Sequence, residues 1–203
     1  MPSASVVSTE ELSASEAKWI TLKRINWKDQ TGKDRTWECA ERKTRGSSGI
    51  DAVAILSIIK SKTNAFPPST VIIEQFRPPV NSYVVGLIDE DETPEQAAIR
   101  ELEEETGYKG DTIVESSPLQ VCDPGMTTAN MKLVVVRVTL EDKLETPDQK
   151  LDEGEFIVKR VVELAKLHEE LKGYEGKGFV VDARLSHLAL GYDMAIRASK
   201  DLL

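Results

Sequence analysis

Cysteine is scarce in this chain: Cys39 and Cys122 stand far apart and form no CxxC spacing. That pattern points to a reducing intracellular compartment, with both thiols as small buried apolar residues. Basic charge is in deficit, with 26 Lys and Arg against 35 Asp and Glu and a net charge of -9. A sequence-independent grip on nucleic acid needs the opposite balance and is excluded. A small polyanionic substrate fits only where metal ions neutralise the site. Long apolar runs are missing too. The most apolar stretch, Ala52 to Ile59, is far too short to span a bilayer. Met1 to Glu11 is rich in Ser and has no basic start followed by an apolar core, so no secretory signal is read there. The expectation is a soluble, cytoplasmic protein without a membrane partner, with nuclear entry left open.

What is present is ordinary for a globular domain: 40% hydrophobic and 30% charged residues in a chain of 203. That length holds one domain, or one domain with an appended arm. Residues 1 to about 15 read as a mobile arm. Trp19 to Trp27 alternates as a strand, Asp29-Gln30-Thr31-Gly32 supplies a turn, and Arg35 to Thr44 returns as a second strand. Val53 to Ile59 and Val71 to Gln75 are β-branched runs expected to be buried strands. Further strands are expected at Thr112 to Val121, Lys132 to Leu140 and Phe156 to Val162, with an acidic loop from Glu141 to Glu155. Helices are expected at Val162 to Leu171 and Val180 to Leu202. No internal repeat is visible. Strands in the first two thirds, with helices interspersed and terminal, indicate an α+β or α/β sandwich.

The informative segment follows Glu92. Thr93-Pro94-Glu95-Gln96 reads as a capping box with Pro at the first helical position, and Gly107 as a left-handed stop. With Ala98 as origin, a helical step of roughly 100° puts Leu102 at about 40°, Glu101 at about -60° and Glu105 at about -20°. Two carboxylates therefore flank the core-facing stripe, while Glu103 points the opposite way, into solvent. Carboxylates beside a core need compensation, and hard divalent cations bridging to phosphates supply it. A Glu-rich surface helix is the plainer reading of a glutamate run alone.

The spacing decides between them. Gly86, Glu92, Arg100, Glu101, Leu102, Glu104, Glu105 and Gly107 occupy the positions of Gly-x5-Glu-x7-Arg-Glu-U-x-Glu-Glu-x-Gly-U, with Tyr108 last. This segment resembles the Nudix box. The resemblance implies a Nudix fold, a mixed β-sheet sandwiched between helices, with Arg100 orienting the box glutamates. It also implies Glu101, Glu104 and Glu105 as ligands of magnesium, or of manganese in its place.

From about Lys18 to Tyr192 the chain is similar to the eukaryotic ADP-ribose pyrophosphatase group. The similarity runs through Arg35-Thr36-Trp37-Glu38, Glu74-Gln75-Phe76-Arg77-Pro78-Pro79, Cys122-Asp123-Pro124-Gly125 and Gly154-Glu155-Phe156. It implies hydrolysis of ADP-ribose, or other ADP-sugars, to AMP and a sugar phosphate. Trp19 and Trp37 would sandwich the adenine, one indole from each subunit of a homodimer; two core tryptophans is the alternative. Arg77, set by the two prolines, would meet a phosphate or ribose oxygen. Glu38, Arg42, Asp51, Leu87 and Asp123 would contact adenine or ribose, although an isolated charge is more often just solvated. Glu155 would be a further metal ligand or the base for water. The implied organisation is a flexible arm at 1–15, a β-strand dimerisation and substrate arm at 16–50, and a Nudix hydrolase domain at 51–203.

One departure stands out. The group's Glu-x-Pro-Ala segment is absent, so Tyr83-Val84-Val85 runs directly into Gly86. A displaced or strained strand at Tyr83 to Val85 is the expectation, with either Val85 replacing a carbonyl that normally meets a metal or one metal lost. A catalytically impaired domain that senses ADP-ribose is the alternative function. A Nudix-type transcription regulator would need a basic recognition helix, which the chain does not show.

Overall fold

The computed structural model describes residues 4–46, 48–86, 88, 89 and 93–202. Leu87 and Glu92 lie outside the described residues. Strands β1 (Ile20–Lys28) and β2 (Asp34–Arg42) form an antiparallel hairpin, with Ile20 opposite Arg42 and Lys28 opposite Asp34. Asp29 closes its turn: one carboxylate oxygen accepts the backbone N–H of Thr31 at 2.9 Å and of Lys33 at 3.0 Å. Gly32 completes the turn at φ +80°, a left-handed conformation that glycine adopts without penalty. The hairpin is a sheet of its own.

Among the described residues, nine further strands build one mixed sheet. They are β3 (Val53–Ser61), β4 (Ser69–Arg77), β5 (Ser82–Gly86), β6 (Ile88–Asp89), β7 (Thr112–Ser116), β8 (Gln120–Val121), β9 (Asn130–Leu140), β10 (Ile157–Glu163) and β11 (Val180–Val181). Helices α1 (Pro94–Thr106), α2 (Leu167–Glu175) and α3 (Ala183–Ala198) complete the fold. Strand β3 runs parallel to β9 from Val53 opposite Lys132 to Ser61 opposite Leu140. Its near-continuous apolar run suits a strand covered on both sides.

Successive residues of β4 face opposite layers, as strand geometry requires. Val71 and Ile73 join Val53, Ile55, Val134 and Val136 in a core that also holds Ala98 and Leu102 of α1. Ile72 turns the other way and packs with Val85, Leu167, Leu171 and Leu185. Each such aliphatic side chain contributes about 1.5–3 kcal/mol by leaving water. The outcome is an α+β fold with helices on both faces of the sheet.

Several boundaries differ from the sequence reading. The strand expected at Thr112 to Val121 is split into β7 and β8, with Ser117-Pro118 in the gap, where proline has no N–H for the ladder. The helix expected from Val162 begins only at Leu167, because β10 continues to pair with β4 as far as Glu163 opposite Ser69. Val180 and Val181 are strand rather than helix, paired in parallel with Val84 and Val85. Asp182 then caps α3, its carboxylate accepting the N–H of Arg184 at 2.9 Å and of Leu185 at 3.2 Å. Cys39 is buried, but Cys122 is exposed, in contrast to the expectation for both.

Candidate active site

Helix α1 opens with Pro94 at its first position, where a missing N–H costs nothing. The expected capping box is not formed by its side chains. The Thr93 hydroxyl lies 2.8 Å from the Gln96 side-chain oxygen and donates to it, rather than accepting a backbone N–H. Ala97, Ala98 and Leu102 are fully buried against the sheet. Glu101 and Glu105, one turn apart on the flank of that stripe, are only 5% and 6% exposed. Arg100 forms an ion pair with Glu101 and holds Glu104 at 2.6 Å. One guanidinium thus ties together two of the box carboxylates.

Glu103 turns away from the core but not into open water. Lys150 meets it at 2.7 Å and Lys109 at 3.6 Å, and the hydrogen bond from Lys150 holds its carboxyl below the usual range. Lys150 belongs to the acidic loop, which clasps the C-terminal end of α1. The Lys150 N–H donates to the Glu104 carbonyl at 2.7 Å, and the Gln149 amide to the Glu105 carbonyl at 2.6 Å. The Lys159 ammonium reaches the Thr106 carbonyl at 2.7 Å and also the Pro147 carbonyl. Three of the carbonyls that every helix leaves open at its end are thereby satisfied. Gly107 ends the helix at φ +78°. A Cβ there would fall 2.2 Å from the Asp148 carbonyl oxygen, so glycine is required by close approach as well as by conformation. Neither Gln149 nor Lys159 carries a motif that marks it in the sequence.

Glu155 is exposed in the same loop, and its carboxylate accepts the Asp152 N–H at 3.1 Å across a turn. Among the described residues, no three acidic, histidine or cysteine side chains converge as a ready-made metal cage. The donor set nonetheless suits a hard divalent cation: oxygen-only ligands, two of them withdrawn from water beside a core.

Strand β5 departs from the expectation of strain. It pairs with β4 without a shift, from Arg77 opposite Ser82 to Ile73 opposite Gly86. Its other edge is held by β11, and the Val85 carbonyl accepts the Asp182 N–H at 2.9 Å. Pairing on both edges keeps the strand regular, and Val85 is fully buried.

Most of the remaining candidates lie on or beside the hairpin, whereas Arg77 shares a small cavity with Gly86, Asp182 and Arg184. The Trp37 indole donates to the Gly125 carbonyl at 3.0 Å and is half exposed; Trp19 is 70% exposed. Neither is a core tryptophan. Glu38 is exposed, with Arg24 at 3.4 Å. Arg42 lies 3.4 Å from the Asp51 carbonyl, and Arg77 is exposed at the end of β4. Asp123 is exposed at the start of the loop that leads to Gly125, its carbonyl accepting the N–H groups of Met126 and Thr127 at 3.1 and 2.9 Å. Asp51 is buried in an ion pair with Arg45, a residue that no spacing in the sequence singles out.

A buried glutamate pair on a helix capped by a left-handed glycine, tied by an arginine and set against a mixed sheet, defines a metal-assisted hydrolase of the Nudix type. The comparisons agree. The NUDIX domain model matches residues 51–182, and the chain belongs to the Nudix hydrolase family. Nudix hydrolases use divalent metal ions. An uncharacterised Nudix hydrolase of Schizosaccharomyces pombe is 42% identical over 95% of this chain and 94% of its own. The ADP-ribose pyrophosphatase of Saccharomyces cerevisiae is 41% identical, covering 89% and 80%. The ADP-sugar pyrophosphatase of Mus musculus is 38% identical, covering 81% and 75%. A crystal structure of an ADP compounds hydrolase superposes with a TM-score of 0.60 over 97% of this chain and 95% of that one, at 16% identity. That last likeness speaks for the fold.

Proposed function

We propose that this chain hydrolyses the diphosphate of ADP-ribose, and of related ADP-sugars, in a magnesium-dependent reaction. The observation that carries the reading is the buried pair Glu101 and Glu105, one turn apart on the helix whose Arg100 binds Glu101 and Glu104. The substrate class is supported by the yeast and mouse relatives, named as an ADP-ribose and an ADP-sugar pyrophosphatase. Both names describe turnover rather than sensing.

Water opens one bridging P–O bond, leaving AMP and ribose 5-phosphate. Glu101, Glu104 and Glu105, with Glu155, would hold magnesium, or manganese in its place, which supplies positive charge at the diphosphate and makes water more acidic. Arg100 pairs with Glu101 and Glu104 and orients both carboxylates. Arg77 offers a planar fork to a phosphate or ribose oxygen. Trp19 and Trp37 would hold the adenine, with Glu38, Arg42 and Asp123 around the base and ribose.

The register supports a homodimer. Trp37 lies opposite Ile25, and Trp19 precedes Ile25 by six residues, so the two tryptophans of one chain are rooted roughly 20 Å apart along the hairpin backbone at about 3.3 Å per residue. A ring stacked on a base has its centroid within about 7 Å of it, so that backbone separation favours two indoles drawn from different chains. A second copy brings the missing indole. It also covers Ile25 and Trp27, exposed on one face of the hairpin.

The test is AMP release from ADP-ribose with and without magnesium, beside ADP-sugars and oxidised nucleoside diphosphates. Magnesium-dependent AMP release, strongest with ADP-ribose or an ADP-sugar, is expected. Tight binding of ADP-ribose with no AMP released would reverse the reading.

A further inference from the structure

An isolated two-stranded hairpin is marginally stable, so what ties it to the domain decides where its side chains stand. Three ties of the β1–β2 hairpin and the link after it reach one loop, residues 123–130. The Ala40 N–H donates to the Met126 carbonyl at 2.9 Å, and the Thr128 N–H to the Ala40 carbonyl at 3.1 Å. The Trp37 indole N–H meets the Gly125 carbonyl at 3.0 Å. Arg45 makes the third tie. Its fork grips Asp51 with Nε to one oxygen at 2.8 Å and Nη2 to the other at 2.5 Å, and Nη2 also reaches the Thr128 carbonyl at 2.7 Å.

Behind that fork Asp51 and Asn130 hydrogen-bond to each other. The Asn130 N–H donates to Asp51 at 3.0 Å, and the Asp51 N–H donates back to the Asn130 side-chain oxygen at 3.0 Å. The Asn130 amide closes the set on the Gly49 carbonyl at 2.9 Å. Asp51 is 3% exposed and Asn130 8%. With both carboxylate oxygens engaged inside the protein, Asp51 is placed to hold an arginine rather than a ribose.

We propose that Arg45 is a positioning residue for substrate binding: clamped by Asp51 and Asn130, it locks the hairpin onto the 123–130 loop and so fixes Trp37 over the base. The proposal rests on the ADP-ribose reading above. Arg45 acts through Trp37 and touches neither substrate nor the carboxylates of α1. Its planar fork spans a carboxylate and a carbonyl at once, which a lysine ammonium cannot reproduce.

The test uses the full chain. Arg45→Lys is expected to raise KM for ADP-ribose about tenfold, the scale of one base–aromatic contact, with kcat within about twofold. Amides of residues 20–42 should exchange with deuterium faster, while those of β3 and β9 stay unchanged. In a Trp37→Ala background, Arg45→Lys should raise KM no further, because the two changes disable the same contact. A KM increase that simply multiplies with that of Trp37→Ala overturns the proposal. So does a fall in kcat at constant KM, or unaltered hairpin exchange. If Arg45→Lys fails to fold, Arg45→Met combined with Asp51→Leu removes both charges, and the same readouts apply. Wild-type protein that releases no AMP from ADP-ribose counts against the functional reading alone. Hairpin exchange then decides the latch by itself, unchanged rates overturning it.

Discussion

Glu101, Glu103 and Glu105 are chemically identical and sit within five positions, yet their surroundings assign them different work. Glu101 and Glu105 lie beside the core, whereas Glu103 meets Lys150 of the covering loop and Lys109 just past the helix end. Glu101→Gln or Glu105→Gln should lower kcat by about 100-fold or more, at least the loss seen when the partners of metal ligands are removed. Glu103→Gln should leave kcat within a few-fold, and steady-state kinetics on the three variants separates the outcomes. The first distinction is legible in the sequence because helical azimuth is local. The lysine partners of Glu103 are not, because Lys150 arrives only through the fold. Asp51 shows the same limit: a family pattern marks the residue, but its partner Arg45 emerges only when residues 45, 51, 128 and 130 meet. The Arg45 hydrogen bond holds the Asp51 carboxyl below its ordinary value. A depressed folded-state pKa means stability that is complete above the unfolded value, near 4, and lost as pH falls through the lower folded one. Wild-type thermal stability should therefore fall below about pH 4 partly through this group. The fall should be shallower in the Arg45→Met, Asp51→Leu pair, as melting curves across pH 3 to 7 would show.

At the scale of elements, α1 and the hairpin announce themselves because their signals are local: proline at the start, glycine at the stop, alternation and a turn. Val180 and Val181 do not, since only β5 makes them a strand. Likewise β10 outlasts its expected end because Ser69 stands opposite Glu163. The clasp between α1 and the acidic loop is equally invisible, and it gives Gly107 a second duty. Gly107→Ala meets both a left-handed backbone and the Asp148 carbonyl. A cost of about 1–3 kcal/mol in denaturant unfolding is expected, the range for a strained backbone position. Turnover should fall as well, because the loop that carries Glu155 must lift from the helix.

For the whole molecule, the placement of the two indoles makes a complementation experiment possible. Trp19→Ala and Trp37→Ala should each raise KM. Subunits mixed and allowed to exchange should recover wild-type affinity in part, since a mixed dimer holds one base site with both indoles and one with neither. Mixing that restores nothing would mean that each chain binds its base alone, and sedimentation would then show a monomer. The hairpin is a sheet apart from the one that carries α1, joined through a short link and one loop. In the proposed function, the adenine-stacking indoles and the box glutamates therefore belong to separate sheets. Under that proposal, changes in the hairpin would shift the chain from one nucleotide to another while the glutamates stay fixed, and substrate range would drift between lineages without a new catalyst having to arise.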